Sequence, residues 1–298
     1  MFTFPISGVE TFWWLPTVTA LFVSCIASLA GLSGAFILLP FQVSVLGFTG
    51  PAVSATNLMF NVLAIPGGVY RLWREDRMVW PLVWLMIIGT LPGMFFGVLI
   101  RIKYLPDPTL FKLFAGLVLL YIGVRLVGNI VRKTPRKVSN NKRSFAINNA
   151  VFSLKEVRYD FDGETYRASG PGILVLSFIV GIVGGIYGIG GGAILVPYLV
   201  AFYRLPVHTL SGAALLGTFA ASVAGTVFYY IFAPVYSGTG LAIAPDWLLG
   251  LALGVGGFVG IYIGARIQRF VPDRAIKIIL ALALLFISGR YIIGFFVS

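Results

Sequence analysis

Glycines set in an apolar stretch are the residues of this sequence with the clearest capacity for chemistry. Residues 185–200 read GIYGIGGGAILVPYLV, so that four glycines between positions 188 and 192 precede Pro197. Because glycine and proline are poor helix formers, we predict a break here and a new helix that begins at Gly191–Gly192. The first N–H groups of a helix lack helical partners and attract anions, and glycine lets a ligand approach them. We therefore predict an anion site, with close helix packing as the alternative.

The same pattern occurs in the first part of the chain, 157 positions earlier. Residues 31–40 read GLSGAFILLP, residues 188–197 read GIGGGAILVP, and the same offset pairs Ser54 with Ser211. A constant offset across glycines and prolines is hard to obtain by chance and predicts two repeats. The candidate site residues of the two motifs are Gly31, Ser33, Gly34, Gly188, Gly190, Gly191 and Gly192.

A few polar side chains follow each glycine motif within a predicted span. Asn57 and Asn61 stand one helical turn apart, so both amides face one side, and Ala214 and Thr218 occupy the matching repeat positions. Amide and hydroxyl donors suit the oxygens of an oxyanion, and an unpaired buried amide is unfavourable. Hydrogen bonding between helices is the alternative use of such groups. We include Asn57, Asn61, Ser211 and Thr218 in the candidate substrate site.

Three arginines are candidates for a gate or a vestibule. Arg125 and Arg290 occupy matching positions near the ends of the last spans of the two halves, and Arg204 follows the second short helix. Reaching toward lipid headgroups is the default role of such arginines. Positive charges near both membrane faces would also attract an anion. Both readings stay open at this point.

The sequence has few residues that could catalyse a reaction. It has one histidine and one cysteine, and its ten acidic residues fall in predicted loops, termini or span edges. A membrane enzyme would need a reactive constellation of such groups. A coupled transporter usually has an acidic residue or a histidine within the membrane. We therefore predict that the protein is no enzyme and has no cofactor and no resident metal.

Composition predicts that membrane-crossing helices position these residues. Hydrophobic residues make up 58% of the chain and charged residues only 11%, whereas soluble domains have about 25% charged residues. The mean hydropathy is +0.95. Apolar runs of about 20 residues, the length that crosses a bilayer core, recur along the chain. The chain is therefore predicted to be a multi-pass membrane protein.

We predict an all-α integral membrane protein made of two repeats of inverted topology, at residues 1–131 and 171–298. Each repeat has a broken helical hairpin at its glycine motif and three further spans, which gives 8–10 membrane segments. The odd number of further spans turns the second repeat upside down. Basic residues in loops 71–77 and 266–274 place these loops inside and both termini outside. Loop 101–112, which is basic but falls outside, fits this topology poorly.

Residues 132–170 are predicted to form a basic cytoplasmic linker. Six basic residues and no acidic ones lie between Arg132 and Arg143, which is half of the formal net charge of +12. Contact with anionic lipid headgroups explains a basic run between membrane spans better than nucleic-acid binding does. Apolar and polar residues then alternate about Asp162-Gly163, a turn pair, which predicts a solvent-facing β-hairpin.

The two glycine motifs resemble the signature of the sulfite exporter TauE/SafE family. GIGGGAILVP is the specific copy, while GLSGAFILLP keeps Gly31, Gly34 and Pro40 but has Ser33 and Ala35 in place of glycines. The resemblance covers nearly everything outside the linker, which is longer than a minimal member needs. It implies a bacterial membrane transporter for sulfite, sulfonates and related small anions, with some members tied to other organic acids.

These observations together predict the export of small sulfur-containing anions, sulfite or organosulfonates such as sulfoacetate, across the bacterial inner membrane. Because no acidic residue falls within a span, we predict an uncoupled exporter that the membrane potential drives. An anion channel on the same fold and a proton- or sodium-coupled organic-acid transporter stay open as alternatives. The expected partners are the anion, the lipid bilayer and the anionic headgroups beside the linker. The identity of the anion and the formation of a homodimer stay open.

Overall fold

Helices account for most of the chain, in the order that the apolar runs predict. The computed structural model of the protein describes residues 1–29, 32–76, 78–131, 148–152, 155–161, 163–267 and 273–297. Gly31 and the basic part of the linker at residues 132–147 lie outside the described residues.

The described residues of the first half form two short strands and six helices. The strands β1 (Phe2–Thr3) and β2 (Glu10–Thr11) pair antiparallel before the first helix. The helices are α1 (Leu15–Leu29), α2 (Ala35–Ser44), α3 (Ala52–Ala64), α4 (Pro66–Arg74), α5 (Trp80–Lys103) and α6 (Pro108–Val131).

Three strands and five helices follow in the part of the chain that the structure describes after residue 147. The strands are β3 (Asn148–Phe152), β4 (Glu156–Phe161) and β5 (Glu164–Ser169). The helices are α7 (Gly170–Tyr187), α8 (Gly192–Tyr203), α9 (Val207–Val235), α10 (Trp247–Ile267) and α11 (Asp273–Val297).

Seven described helical stretches are long and apolar enough to cross a membrane, with α3 and α4 counted as one stretch. A crossing helix needs about 20 apolar residues, whereas α2 has 10 residues and α8 has 12. These two helices are therefore too short to span, and each follows a glycine motif. The prediction of an all-α, multi-pass membrane protein is confirmed.

The outer faces of the helix bundle are apolar. Large hydrophobic side chains that a soluble protein would bury stay exposed along the outer helices, among them Trp84, Ile88, Phe96, Leu251, Val255, Phe258, Leu282, Phe286 and Ile293. Contiguous apolar surface of this extent marks contact with lipid rather than with water.

Rows of glycines bring α5 against α7. Three glycines four residues apart on α5 leave no room for a side chain, because each lies against a backbone carbonyl of α7. The pairs are Gly89 with Leu174, Gly93 with Phe178 and Gly97 with Ile182. The residue numbers of the contacting pairs rise together on the two helices, so α5 and α7 run parallel. Small residues allow this close backbone approach in membranes.

The contact between α1 and α10 has the same form. Three glycines four residues apart on α10 lie against carbonyls of α1. The pairs are Gly256 with Thr17, Gly260 with Leu21 and Gly264 with Cys25. These helices are therefore parallel too. Neither glycine row was predicted, although a spacing of four residues can be recognised in the sequence.

The central helices fix the remaining directions. On α3 and α10 the contacts rise together, from Met59 with Gly250 to Leu63 with Gly254, so these two helices are parallel. On α5 and α9 they also rise together, from Met86 with Gly217 to Met94 with Gly225. Between α9 and the continuous stretch of α3 and α4 the order reverses, since Leu58 on α3 meets Gly225 and Gly68 on α4 meets Leu215. Helix α3 is therefore antiparallel to α9.

A small antiparallel sheet with the order β3-β4-β5 lies before α7. Strands β4 and β5 pair from Phe161 with Glu164 outward, on the residues where the alternation predicts a hairpin. The hairpin is not wholly solvent-facing, because Tyr159 is buried and its hydroxyl lies 2.8 Å from the Thr209 hydroxyl at the start of α9. Burial raises the pKa of Tyr159 to about 12, which keeps this hydroxyl protonated. The sheet is thereby fixed to one end of the bundle.

Candidate functional site

The glycines of the second motif form the turn between α7 and α8. Gly188, Gly190 and Gly191 have φ angles of +88°, +72° and +103°, which side chains other than glycine rarely adopt. Helix α8 begins at Gly192 with Gly191 as its N-cap, where the sequence predicts a helix start. The glycines are therefore required by the backbone path at this turn, whatever binds beside it.

The first motif has a different local structure. Helix α2 begins at Ala35 after Gly34, whose φ of −68° is an ordinary right-handed value. Gly34 is needed for close packing, because a Cβ atom there would lie 2.7 Å from the Ser24 hydroxyl oxygen. Ser33 is buried beside it. The predicted site residue Gly31 lies outside the described residues.

A small pocket lies between the start of α8 and the facing side of α9. Four of the predicted site residues line it, namely Ser33, Gly192, Ser211 and Thr218. The other lining residues are Leu32, Ala193, Val196, Ala214 and Leu215. The pocket thus joins the first glycine motif, the second motif and α9, and it is lined by three hydroxyl groups.

Most N–H groups at the start of α8 already have partners. The Gly192 N–H donates to the Thr218 hydroxyl oxygen at 3.0 Å, and the Ile194 and Leu195 N–H groups donate to the Gly191 carbonyl. Thr218 still has its own hydroxyl proton to donate. An anion in this pocket would therefore meet hydroxyl groups more than a row of free amides, and the helix dipole would add a favourable field.

Asn57 connects the two glycine motifs instead of lining the pocket. Its amide nitrogen donates to the Ala35 carbonyl and to the Gly188 carbonyl, each at 2.9 Å. Its amide oxygen accepts a hydrogen bond from the Gln42 amide at 3.1 Å. Both donor hydrogens are therefore engaged by the protein, which corresponds to the interhelical role weighed for this residue. Its part in substrate binding stays a prediction.

Ser54 and Asn61, on the same helix, bind the same turn. The Ser54 hydroxyl donates to the Ile186 carbonyl at 2.9 Å, and the Asn61 amide donates to the Ile189 carbonyl at 3.3 Å. The Tyr187 hydroxyl, at the end of α7, donates a hydrogen bond to the Phe36 carbonyl of α2 at 3.0 Å. One side of α3 thus fixes the turn that carries the second glycine motif.

Arg101 is a buried arginine that the sequence analysis treated as a loop residue. It belongs to the last turn of α5 and is fully buried. Its Nε donates to the Ser54 hydroxyl at 3.3 Å, and its terminal nitrogens donate to carbonyls of Thr49, Gly50 and Leu105. Its guanidinium carbon lies 3.7 Å from the centre of the Phe111 ring. Because Arg101 is buried at the end of α5, its charge does not count toward the exposed charge of loop 101–112, which fitted the predicted topology poorly.

The three predicted gate arginines lie away from the pocket lining. Arg125 on α6 is half-buried, with its guanidinium 5.3 Å from the Tyr121 ring centre, and Arg290 on α11 is exposed. Helices α6 and α11 are antiparallel, because Gly116 meets Tyr291 while Gly123 meets Leu284. The two arginines therefore lie toward opposite ends of this pair.

Arg204, the third predicted gate residue, ends α8. It is exposed and adopts a left-handed φ of +54°. Helix α8 therefore stops at this residue, at the opposite end from the pocket. A gating role for the three arginines stays a prediction.

Asp246 is a buried carboxylate at the edge of a span. One of its oxygens accepts hydrogen bonds from the Ser7 N–H and hydroxyl at 2.8 Å each, and the other accepts from the Leu249 N–H at 3.1 Å. It therefore caps the start of α10 and fixes the N-terminal segment to it. Within the described residues, no three His, Cys, Asp or Glu side chains cluster as metal ligands would.

The fold and the pocket define the class of protein: a mostly helical, multi-pass membrane protein with two short helices, in which a small pocket lies between the start of the second short helix and the segment that precedes the first. The chain belongs to the sulfite exporter TauE/SafE family, whose model matches residues 17–291. No solved structure matches the chain.

Several curated proteins resemble the chain, and each is named a probable membrane transporter protein. YunE of Bacillus subtilis is 29% identical over 49% of this chain and 50% of its own length. MamO of Paramagnetospirillum magneticum is 28% identical over 76% of this chain and 35% of its own length. YjnA of Bacillus subtilis is 22% identical over 92% of this chain and 96% of its own length. The chain thus spans about half of YunE and about a third of MamO.

Proposed function

We propose that this protein is a membrane transporter that exports small sulfur-containing anions, either sulfite or an organosulfonate such as sulfoacetate. The observation that carries the proposal is the pocket at the start of α8, whose lining includes Ser33, Ser211 and Thr218, three residues that carry a hydroxyl group. Hydroxyl donors and the positive end of a helix favour an oxyanion over a cation. Membership of the sulfite exporter family supports sulfur oxyanions as the class.

The two halves act, in this proposal, as repeats of inverted topology. Helices α1, α3 and α10 run in one direction, and α5, α7 and α9 run in the other. Four helices of the first half therefore run opposite to the helices at matching places in the second half: α1 to α7, α3 to α9, α5 to α10 and α6 to α11. Transporters built in this way bind substrate at the repeat interface and expose it to each side in turn.

The membrane potential is the proposed driving force. A potential of about 100 mV, negative inside, is worth roughly 2.3 kcal/mol per charge, which corresponds to about a 50-fold outward ratio for a monoanion. Asp246, a buried carboxylate among the described residues, is engaged as a helix cap at the start of α10. Export of an anion therefore needs no coupling ion.

Efflux from proteoliposomes loaded with sulfite or sulfoacetate tests the proposal, with the potential clamped by potassium and valinomycin. We expect saturable efflux that rises with negative internal potential and shows counterflow. Flux without saturation or counterflow would indicate the anion channel. Efflux that does not depend on the potential but follows an imposed proton or sodium gradient would indicate the coupled organic-acid transporter. Efflux of small carboxylates in a parallel screen would support that alternative.

Thr218→Val tests the pocket itself, since it keeps the shape of the side chain and removes the hydroxyl. We expect the half-saturating internal anion concentration to rise about fivefold, because one hydrogen bond contributes about 1 kcal/mol. Thr226→Val is the matched control: Thr226 lies two turns further along α9, and its hydroxyl bonds to the Ser222 carbonyl. Equal effects of the two variants would count against the pocket as the substrate site.

The proposed location is the bacterial inner membrane, with the linker and its sheet in the cytoplasm and both termini outside. Single cysteines at Gly240 and Glu164, both exposed, test this orientation after Cys25→Ser. We expect an impermeant thiol reagent to label the cysteine at position 240 in intact cells and the one at 164 only after permeabilisation. Labelling of both from one side would refute the proposed topology.

A further inference from the structure

The region that corresponds to the pocket by the repeat is closed in this structure. Ser54 is the repeat partner of Ser211, which lines the pocket, and it lies on α3 as Ser211 lies on α9. Around Ser54 the hydrogen bonds of α3 to the Ile186 and Gly188 carbonyls fill the equivalent space. An inverted repeat predicts that this second region opens when the first closes.

The two regions lie toward opposite ends of the bundle. Met86 on α5 lies beside Gly217, next to the pocket residue Thr218, whereas Arg101 lies 15 residues further along α5. At 1.5 Å per residue, this separation is about 22 Å along the helix axis. Arg101 touches Ser54 through its Nε. The Ser54 region is therefore placed where an anion from the pocket would leave on the other side.

Arg101 has no carboxylate partner among the described residues. Both described ion pairs, Arg71 with Glu75 and Arg167 with Glu156, are elsewhere. Its hydrogen-bond partners are the Ser54 hydroxyl and three neutral carbonyls, although the residue is fully buried. Removing a charge from water without an opposite charge is strongly unfavourable. A buried guanidinium in this setting is suited to receive an anion, since it donates in the geometry that oxyanions accept.

We propose that Ser54 and Arg101 form a second, release-side site for the transported oxyanion, which is occupied when α2 and α3 separate. This inference rests on the proposed function. In the closed state the carbonyls of Thr49 and Gly50, in the connection between α2 and α3, hold the guanidinium. Opening of this connection exchanges the two neutral carbonyls for the anion. The site thus gives the anion a binding step on the side opposite to the pocket.

The test measures half-saturation separately on the two sides of oriented proteoliposomes, with sulfite as the probe. In Arg101→Lys and Ser54→Ala, we expect the external sulfite concentration that half-stimulates exchange to rise about tenfold or more, since hydrogen bonds to charged groups are worth about 1.5–3 kcal/mol. The internal half-saturation should change less than about twofold, because the pocket is untouched. Lys103→Arg, at an exposed position two residues further along α5, is the control and should change neither value.

Each outcome bears on a different part of the proposal. If Arg101→Lys and Ser54→Ala shift both half-saturation values equally, or lower only the melting temperature, Arg101 is a structural clamp and the inference is wrong. If the wild-type protein shows no sulfite-dependent exchange at all, the proposed function itself fails. Arg101→Met is a third variant: we expect it to bind sulfite with wild-type affinity in thermal-shift assays while exchange is lost.

Discussion

The two short helices differ in what surrounds them, although the same sequence pattern precedes both. Helix α2 is surrounded by hydrogen bonds, in which Asn57 and Gln42 fill the space between α2 and α3. Helix α8 faces a pocket, because the repeat partner of Asn57 is Ala214. Several matching positions differ in side-chain size and polarity, since Asn57 corresponds to Ala214 and Asn61 to Thr218. Two matching sequence patterns thus lie in different side-chain surroundings.

The difference indicates how a protein with two similar halves can favour one orientation of its site. Asn57 binds carbonyls of both motifs, Ala35 and Gly188, so it ties the two halves together on the α3 side. On the α9 side, the Thr218 hydroxyl binds within its own half, at the Gly192 N–H. The α3 side should therefore be the harder one to open.

Replacing Gly191 by leucine should have the largest effect. Its φ of +103° disfavours any side chain, and a Cβ atom would lie 3.0 Å from Val180. We expect loss of sulfite binding in thermal-shift assays with some folded protein retained. Gly217→Ala on α9 is the control, since its Cβ atom would meet Met86 at an ordinary 3.5 Å. A folded Gly191→Leu variant with unchanged affinity would show that the motif serves packing alone.

Asn57→Ala should loosen the hydrogen-bonded interface between α2 and α3. The change leaves two carbonyls and the Gln42 amide without their partner, so we expect a loss of about 3 kcal/mol in stability. Thermal unfolding of the purified protein measures this loss. Asn61→Ala, which removes one longer bond of 3.3 Å, should lose clearly less. Equal losses would mean that Asn57 has no special part in joining the halves.

Ala214→Asn should fill the pocket, because it places on α9 the residue that α3 has at the matching position, Asn57. The amide would enter the pocket beside Thr218, and we expect the half-saturating internal sulfite concentration to rise about tenfold, as when one or two hydrogen bonds are lost. Ala213→Ser, next to it but outside the pocket lining, is the control. Unchanged efflux in Ala214→Asn would show that this position does not set the difference between the halves.

Several features followed from the sequence because they depend on local chemistry. Proline and glycine must interrupt helices, so the break before Gly192 and the short helix after it were predictable. Long apolar runs must cross the membrane or be buried, so the number and order of the helices were close to the prediction. The alternation before α7 predicted the β4–β5 hairpin for the same local reason.

Other features depended on contacts between segments distant in the sequence. No local pattern reveals that Asn57 reaches both Ala35 and Gly188, or that its two donor hydrogens are thereby used. Arg101 looked like a loop charge, because only the folded chain brings the Thr49 and Gly50 carbonyls and the Phe111 ring around it.

The sequence by itself determined the membrane class and the place of the helix break before α8, because helix propensity and hydrophobicity act within one segment. Only the tertiary structure decided which side of the repeat is open, since this depends on whether a side chain of α3 or α9 meets a carbonyl of the other half. Ser54 and Ser211 illustrate this limit: they are the same residue at matching positions, yet one lies beside a buried guanidinium and the other beside a pocket. Packing between distant segments, and not the residue type, made that difference.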